Sequence, residues 1–308
     1  MNEITALQFD AIDAAKLAHH AELARRPVCA VPTPFPTWNS ACRDEGGGEG
    51  VALGWHVVVA GATGAGKSIV ALNLAAAAVQ NGDAVCYLSL EMSQSQLITR
   101  LLAVMTGNGV RYLEAGQGHD RSIMQAATTD FTGMLERSGG SIRVNRHPLR
   151  RLTDIDLVFG YFTEREPCTV FIVDYLQLAW AGNAKGMLDN ITEISHSIRS
   201  RAHGHKVVSI GLSQFNRQTS SNRADRPSVE GLMGGSPLEN DADQVVLLDH
   251  TSYERQGTGR AQGKLLLAKN RHGPQAEIPV EWNYQNLQVR EGLAAGEPEA
   301  AWGEVLTR

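Results

Sequence analysis

Eight residues in the first quarter of the chain have the types and spacing of a phosphate-binding loop. Residues 61–68 read GATGAGKS, which fits G-x-x-x-x-G-K-[ST], directly after an apolar run and before a helical one. Glycines let successive backbone N–H groups turn toward phosphate, the lysine reaches the β- and γ-phosphates, and the last hydroxyl binds Mg²⁺. The predicted nucleotide-binding residues are Gly61, Ala62, Thr63, Gly64, Ala65, Gly66, Lys67 and Ser68. The pattern predicts a site for ATP and Mg²⁺, and the alternative is a fortuitous glycine-rich turn.

Two carboxylates follow apolar runs elsewhere in the chain, where a nucleotide site would need them. Asp174 ends the run TVFIVD, and open α/β sheets place ligands at such strand ends, so we predict that it and Ser68 hold the metal. Glu91 follows the run CYLSL and is a candidate base that orients and deprotonates water. The alternatives are a helix cap for Asp174 and, for Glu91, a first-turn acid of a helix that Ser93 and Gln96 cap. Spacing alone does not decide between the two roles of Glu91.

A polar amide and a long loop follow a third apolar run. Gln214 ends KVVSIGLSQ, and a neutral donor at a strand tip can hydrogen-bond a γ-phosphate and report its loss to the next loop. That loop, residues 216–240, is polar and glycine-rich, and long loops in compact domains are usually functional or disordered. Its cations Arg217, Arg223 and Arg226 are candidate contacts for a polyanion. The alternative is a solvated loop without function.

Two further cations stand close together late in the chain. Lys269 and Arg271 lie in the stretch LLLAKNRHGPQAEIPVEW and are two residues apart, where side chains of one strand share a face. Two cations on one face repel each other unless an anion lies opposite. The alternative is a pair of surface charges that only favour solubility.

Apolar runs of strand length alternate with helical segments from residue 54 onward. The predicted strands are 56–60, 84–90, 141–145, 169–174, 206–212 and 244–249, and the predicted helices lie near 67–81, 93–106, 120–137, 153–165 and 187–203. Two of the strands are apolar throughout, as strands covered on both faces are. The sequence therefore predicts an α/β fold with a mostly parallel sheet between two helical layers, followed by a C-terminal β-hairpin that turns at 272–274.

The ends of the chain differ from this middle part. We predict a detached helix within residues 1–30, a stiff Pro/Gly-rich linker over 31–50, a motor domain over 51–290 and a mobile tail over 291–308. The helix either caps its own domain or docks on a neighbouring subunit. A net charge of −5 confines any nucleic-acid contact to a local surface. The four scattered cysteines suggest reduced thiols in a cytoplasmic protein, and no apolar run is long enough to span a membrane.

Six motifs in this order resemble one known family. They are GATGAGKS, SLEM at 89–92, DYLQL at 174–178, SQFNR at 213–217, ENDAD at 239–243 and KNRHGP at 269–274. Together they resemble the RecA-like motor domain, a P-loop NTPase fold, of DnaB-like hexameric replicative helicases. The likeness covers about residues 50–290. Each motif is weak alone, but the ordered set is specific.

The resemblance implies roles for the residues singled out above. In that family the position of Glu91 is the catalytic base, that of Asp174 holds Mg²⁺ and that of Gln214 couples phosphate sensing to the DNA loops. The Lys269–Arg271 pair would act in the active site of the adjacent subunit, as an arginine finger does in trans. Six such subunits form a ring around single-stranded DNA. The expected partners are therefore DNA, further copies of the chain, and a helicase loader or primase.

Two departures from the family pattern qualify these expectations. Only some 50 residues precede the motor domain, where the family carries a helical collar that meets primase, so primase contact in the usual mode is not expected. The pore loop reads GLMGGSPLEN, which places Met233 at the position of a basic residue. The backbone at Gly234, Gly235 and Ser236 remains a candidate phosphate contact. Two other functions stay open: a RecA/RadA-like DNA-binding filament or loading ATPase, and a KaiC-like assembly protein without DNA activity.

Overall fold

The computed structural model describes most of the globular part of the chain. The described residues are 30–42, 48–116, 121–166, 168–182, 184–215, 227–233, 235–249, 255–256 and 259–292. The predicted N-terminal helix falls before residue 30 and the predicted tail falls almost entirely after 292, so both lie outside the described residues. No helix within the described ranges has the length and apolar character needed to cross a membrane.

A ten-stranded mixed sheet forms the centre of the fold. Its strands are β3 (His56–Gly61), β4 (Ala84–Ser89), β5 (Ser141–Val144), β6 (Val170–Asp174), β7 (Val208–Gln214), β8 (Gln244–Asp249), β9 (Arg255–Gln256), β10 (Arg260–Asn270), β11 (Ala276–Asn283) and β12 (Gln288–Glu291). The order is β12-β11-β10-β8-β3-β7-β6-β4-β5, with β9 paired to β10. Six neighbours, β8-β3-β7-β6-β4-β5, are parallel, and β10, β11 and β12 add an antiparallel meander. The predicted parallel sheet and terminal hairpin are both confirmed.

Eight helices accompany the strands within the described residues. They are α1 (Pro36–Ala41), α2 (Lys67–Gln80), α3 (Gln94–Thr106), α4 (Val110–Gly116), α5 (Arg121–Ser138), α6 (Leu152–Glu164), α7 (Met187–His205) and α8 (Gly235–Asp241). Five of these are the five predicted helices, with ends that differ by at most two residues. One apolar core packs α2 and α3 on one sheet face, and a second packs α6 and α7 on the other. Strands such as Val170–Asp174 are consequently buried at every residue, as the continuous apolar runs predicted.

Parallel pairing brings the polar ends of the strands to one edge. Gly61 pairs with Gln214, and Ser89 pairs with Asp174, so these residues form the carboxyl edge of the parallel strands. His56 begins β3 at the other end, which is the amino edge. Because β10 runs antiparallel to β8 and pairs Asn270 with Gln244, the end of β10 lies at the amino edge.

The segment predicted as a linker differs in the structure. Strand β1 (Ala30–Val31) pairs with β2 (Val51–Ala52), and Phe35 and Trp38 are fully buried in the core. The Trp38 indole donates to Gln244 Oε1 at 3.0 Å. The prolines and the GGGEG run predicted an extended linker. Residues 30–42 are instead part of the domain, because the side chains of Phe35 and Trp38 pack into the core of residues far away in the chain. Of the predicted linker, residues 43–47 lie outside the described residues.

Candidate active site

The phosphate-binding loop has the backbone geometry that its sequence predicts. It connects the end of β3 to the start of α2, and Gly64 and Gly66 have φ of 76° and 92°, the left-handed region that favours glycine. No side chain caps the first turn of α2. The loop N–H groups and those of the first helical turn therefore suit an anion such as a nucleotide phosphate.

Lys67 is folded back onto the loop that precedes it. Its ammonium donates to Gly61 O at 3.0 Å and to Ala62 O at 2.9 Å, and only 8% of the residue is exposed. Burial lowers the pKa of Lys67 from 10.5 to about 8, against the opposing effect of the Asp174 and Glu91 carboxylates. A charge that is poorly solvated in this way has a strong tendency to bind an anion.

Asp174 is buried at the carboxyl edge and is oriented by two hydroxyl groups. Tyr87 in β4 donates to Asp174 Oδ2 at 2.9 Å, and Ser68 hydrogen-bonds the same carboxylate. Burial raises the pKa of Asp174, and the two hydrogen bonds oppose the rise. Mg²⁺ prefers hard oxygen ligands, and the carboxylate of Asp174 with the hydroxyl of Ser68 fits that preference. Tyr87 itself is fully buried and escaped sequence analysis, since a tyrosine in an apolar strand reads as core.

Glu91 lies next to this pair in an exposed position. The backbone N–H of Leu90 donates to the backbone carbonyl of Asp174 at 2.7 Å, which places the start of the following turn beside the end of β6. Helix α3 begins at Gln94 with Ser93 as its N-cap, and Ser93 with Gln96 forms the predicted capping box. Glu91 thus precedes the N-cap by two residues and is not a first-turn acid. The base role agrees with this placement and remains a prediction.

Gln214 ends β7 beside the phosphate-binding loop and connects to the candidate DNA loop. Its side chain hydrogen-bonds the Tyr175 hydroxyl, and its carbonyl accepts the N–H of Met233 at 2.8 Å. Gln177 also links the end of β7 to Met233, because its amide donates to Ser213 Oγ at 2.7 Å and to Met233 O at 3.1 Å. The Gln214 amide therefore lies between the nucleotide edge and the residues that lead into α8.

Trp282 of β11 packs against the phosphate-binding loop at Gly66. It is fully buried, and a Cβ added to Gly66 would lie 3.4 Å from its Nε1 atom. The C-terminal meander thus packs directly against the loop although it lies about two hundred residues later in the chain. Alternation along β11 buries Ile278, Val280 and Trp282 on one face, and this period-2 pattern was the signal available in the sequence.

The Lys269–Arg271 pair lies at the amino edge, away from the phosphate-binding loop. Lys269 belongs to β10 and Arg271 directly follows its last residue, and both side chains contact carbonyls at the end of α8, as residues two apart on one face would. The register of β10 shifts between Leu267 and Lys269, and the strand ends at Asn270, so Arg271 belongs to the following turn. Lys269 Nζ donates to Glu239 O at 2.5 Å, and Arg271 donates to Asn240 O at 2.8 Å. Both cations thus have helix carbonyls as partners within the chain.

The predicted DNA-binding residues are only partly described. Arg217, Arg223, Arg226 and Gly234 lie outside the described residues. Gly235 begins α8 with φ of 50°, and Ser236 is exposed next to it. Met233, at the position where the family has a basic residue, lies shortly after the 3₁₀ helix Val229–Gly231 and beside Gln214.

Comparison with known families accounts for this arrangement of strand-end groups. Residues 48–291 match the family described as DnaB-like helicase C terminal domain. The chain belongs to this family. The match runs from just before β2 to the last residue of β12, so the DnaB-like domain includes the antiparallel meander as well as the parallel sheet. Segment 30–42 lies before the matched region although it packs into the same core.

Curated relatives of the DnaB-like domain are named as replicative helicases. The Replicative DNA helicase DnaB of Leifsonia xyli subsp. xyli (strain CTCB07) is 28% identical over 284 residues, which is 91% of this chain and 58% of the relative. The Probable plasmid replicative DNA helicase of Chlamydia psittaci is 25% identical over 240 residues, 76% of this chain and 50% of the relative. The chain thus spans between half and three-fifths of the length of these two relatives.

Two solved structures superimpose on most of this chain. One of them, named as an ATPase domain, superimposes with a TM-score of 0.76 at 22% identity, covering 93% of this chain and all of that one. A DnaB-like replicative helicase, solved with attention to its interactions with primase, gives a TM-score of 0.71 at 23% identity and covers 92% of this chain and 67% of that one. At these identities the superpositions establish that the DnaB-like domain has the fold of such ATPase domains.

Proposed function

We propose that the protein is an ATP-driven helicase or translocase that assembles as a ring on single-stranded DNA and hydrolyses ATP between subunits. The observation that carries the proposal is the position of Lys269 and Arg271 at the sheet edge opposite the phosphate-binding loop. The six residues of β3 separate the two edges by about 17 Å at a rise of about 3.3 Å per residue. A side chain at the amino edge cannot contact a phosphate at the carboxyl edge of its own chain.

The pair can reach such a phosphate only on another chain. Family membership supports an assembly in which the amino edge of one subunit faces the carboxyl edge of the next. Repeating such a head-to-tail contact gives a closed ring if the rotation between neighbouring subunits is a whole fraction of 360° without a rise, and otherwise gives a helical filament. We propose the closed hexameric ring, because the KNRHGP and SLEM motifs resemble those of ring-forming helicases.

Within one site, each residue has a distinct proposed role. The loop from Gly61 to Ser68 binds the phosphates, and Lys67 leaves its two carbonyl partners for the β- and γ-phosphates. Ser68 and Asp174 would hold Mg²⁺, which neutralises charge on the phosphates when bound. Glu91 takes a proton from the attacking water from its exposed position beside Asp174.

The remaining groups connect hydrolysis to DNA. Gln214 detects the γ-phosphate and passes its loss to the loop that it begins. The DNA-contacting residues are proposed to be Arg217, Arg223, Arg226, Gly234, Gly235 and Ser236. We place the protein in the cytoplasm, with DNA and further copies of itself as partners, and a helicase loader or primase as a further candidate.

The test measures ATP turnover with and without single-stranded DNA, together with native mass and electron micrographs. We expect turnover that DNA stimulates, and rings of six chains. Filaments on DNA would favour a RecA/RadA-like protein, and rings whose turnover ignores DNA would favour a KaiC-like assembly protein. The Glu91→Gln protein should still bind ATP, and its rate of hydrolysis should fall by orders of magnitude. Near-normal hydrolysis would contradict the role of Glu91 as the catalytic base.

Mixing variants tests whether the pair acts between subunits. Chains with Lys67→Ala should be inactive alone, and chains with Arg271→Ala should keep only a small residual turnover. Mixed, they form some interfaces that join an intact phosphate-binding loop to an intact arginine, so we expect activity to return. Mixed assemblies that form and stay inactive would contradict action in trans.

A further inference from the structure

Helix α8 connects the two edges of the sheet within one chain. It begins at Gly235, two residues after Met233, whose N–H is bound to the carbonyl of Gln214 at the carboxyl edge. It ends at Asp241, and the N–H of Asp243 donates to His56 O at the amino edge. At about 1.5 Å per residue, its seven residues rise about 10 Å along the sheet.

The carboxyl end of α8 binds both members of the cationic pair. Lys269 Nζ donates to Glu239 O, and Arg271 donates to Asn240 O. The last carbonyls of a helix have no partner within it, and they carry the negative end of its dipole. Burial and the nearby Arg271 charge lower the pKa of Lys269. The two cations are therefore held close together by helix carbonyls, against their mutual repulsion.

Asp243 adds a charged contact from the segment that joins α8 to β8. Its Oδ2 accepts the backbone N–H of His56 at 2.9 Å, and its Oδ1 lies 3.3 Å from Arg271 Nη1. Its own carbonyl accepts the backbone N–H of Arg271 at 2.9 Å. The Asp243 side chain is 8% exposed, whereas that of Arg271 is 36% exposed. A buried, fixed carboxylate thus holds a guanidinium that still reaches the surface.

We propose that Asp243, together with the carboxyl end of α8, positions the Lys269–Arg271 pair for the nucleotide of the neighbouring subunit. This assigns a role to the ENDAD motif, whose residues do not lie at the phosphate-binding edge. A free arginine side chain would sample many rotamers, and fixing it before ATP arrives removes that cost from the transition state. Asp243 is a positioning residue, since it acts through Arg271 and not on the nucleotide. The inference rests on the proposed action of the pair in trans.

The substitution Asp243→Asn separates the backbone contact of Oδ2 from the contacts of Oδ1, which also lies 3.9 Å from His272 Nε2. The single oxygen of the new amide must face the His56 N–H, because the amide nitrogen cannot accept that bond. The NH₂ group is then directed at Arg271, so a donor faces a donor and the contact is lost. We expect kcat to fall about 10-fold or more, with the KM for ATP within about twofold of wild type.

Glu166→Gln is a matched control. Glu166 accepts from the Tyr161 hydroxyl through Oε1 and contacts Arg143 Nε through Oε2 at 2.8 Å, so the change removes the negative charge from another arginine–carboxylate contact. This contact lies beside β5, at the far side of the sheet from β10. We expect kcat of the control to equal that of wild type.

A double-mutant cycle decides whether Asp243 acts through Arg271. In the Arg271→Ala background, Asp243→Asn should lower kcat by no more than about twofold, because the group that it positions is gone. A full loss of about 10-fold in that background, or a wild-type kcat for Asp243→Asn alone, would overturn the inference. If Arg271→Ala itself leaves turnover unchanged, the proposed action of the pair in trans fails, and that result is distinct from a failure of the cycle.

Subunit mixing supplies a readout that a general folding defect would not give. Chains with Asp243→Asn keep an intact phosphate-binding loop, and chains with Glu91→Gln keep an intact pair, so mixtures should exceed the summed activity of the two alone. If Asp243→Asn does not fold, Asp243→Glu keeps the charge and is mixed in its place. The longer side chain displaces the carboxylate by one methylene, so any loss of kcat should disappear in the Arg271→Ala background, and a loss that persists there would overturn the inference.

Discussion

Replacing Lys67 by methionine should stabilise the nucleotide-free protein while abolishing nucleotide binding. The lysine is 8% exposed, and burial lowers its pKa from 10.5 to about 8. A shift of this size corresponds to about 3 kcal/mol of penalty for keeping the charge in the folded protein at neutral pH. Methionine has a similar length and no charge to desolvate, so it removes that penalty.

The hydrogen bonds that the substitution removes reduce the gain. Lys67 donates to Gly61 O and Ala62 O, and each such bond contributes about 0.5–1.5 kcal/mol. Neither carbonyl is left without a donor, because Gly61 O also accepts from Phe215 N and Ala62 O from Ala65 N. We therefore expect a net gain of about 1–2 kcal/mol, which raises the melting temperature by about 2–6 °C.

The pH dependence follows from the lowered pKa of Lys67. Between the folded pKa of about 8 and the ordinary lysine value of 10.5, the unfolded chain binds more protons than the folded protein. The stability of the wild type must then rise with pH across this window. The gain in unfolding free energy from Lys67→Met is therefore largest below the folded pKa. It shrinks toward the upper end of the window, where the folded wild type holds a neutral amine.

The assay is urea unfolding of nucleotide-free protein at several pH values, with fluorescent-nucleotide binding measured alongside. Lys264→Met is the matched control, since that lysine is 43% exposed in its side chain and pairs with Glu277 at the surface. It should change stability by less than about 0.5 kcal/mol, without a pH-dependent difference. A Lys67→Met protein that is no more stable than wild type at neutral pH, or a gain that persists at the upper end of the window, would refute the reasoning.

Two further predictions concern contacts that hold the site in place. Tyr87→Phe removes one hydroxyl donor from the buried Asp174 carboxylate. The free energy of unfolding should therefore fall by about 1–3 kcal/mol, and Mg²⁺ should bind more weakly. Unfolding curves and Mg²⁺ titrations of nucleotide binding test this, and unchanged curves would contradict it. Gly273→Ala would put a Cβ 2.2 Å from Ala41 O, and Gly140→Ala one 2.1 Å from Val79 O, so both should lose stability by about 1–3 kcal/mol. Only Gly273→Ala should also lower kcat, because its clash displaces the turn that carries the arginine. Equal kcat for the two proteins would show that the position of this turn does not affect hydrolysis.

Local patterns were enough to predict most elements and the nucleotide edge. The run HVVVA followed by GATGAGKS predicts strand, loop and helix without reference to the rest of the chain, because glycine conformations and helix N-termini are local properties. Asp174 and Gln214 each end an apolar strand, and Glu91 follows one. Since parallel strands bring their carboxyl ends to one edge, their convergence beside Lys67 could be expected from the sequence.

Long-range packing escaped the same patterns. Tyr87 and Trp282 read as ordinary core residues, yet one holds the Asp174 carboxylate and the other supports Gly66. Trp38 stands in a proline-rich stretch that reads as a linker, and its burial and its hydrogen bond to Gln244 tie that stretch to the domain. Each of these contacts joins residues far apart in the chain, so no window of neighbouring residues contains it.

The sequence by itself determined which residue types this protein brings to its strand ends: a glycine-rich loop that suits phosphate, a carboxylate and a hydroxyl that suit Mg²⁺, and a pair of cations two residues apart. Only the tertiary structure decided where that pair lies. A register shift in β10 precedes the end of the strand at Asn270, and antiparallel pairing with β8 puts that end at the amino edge, opposite the phosphate-binding loop. There the carbonyls of α8 and the carboxylate of Asp243 receive Lys269 and Arg271. Strand direction and register are set by pairing across the whole sheet, which is why the spacing of two residues could not reveal them.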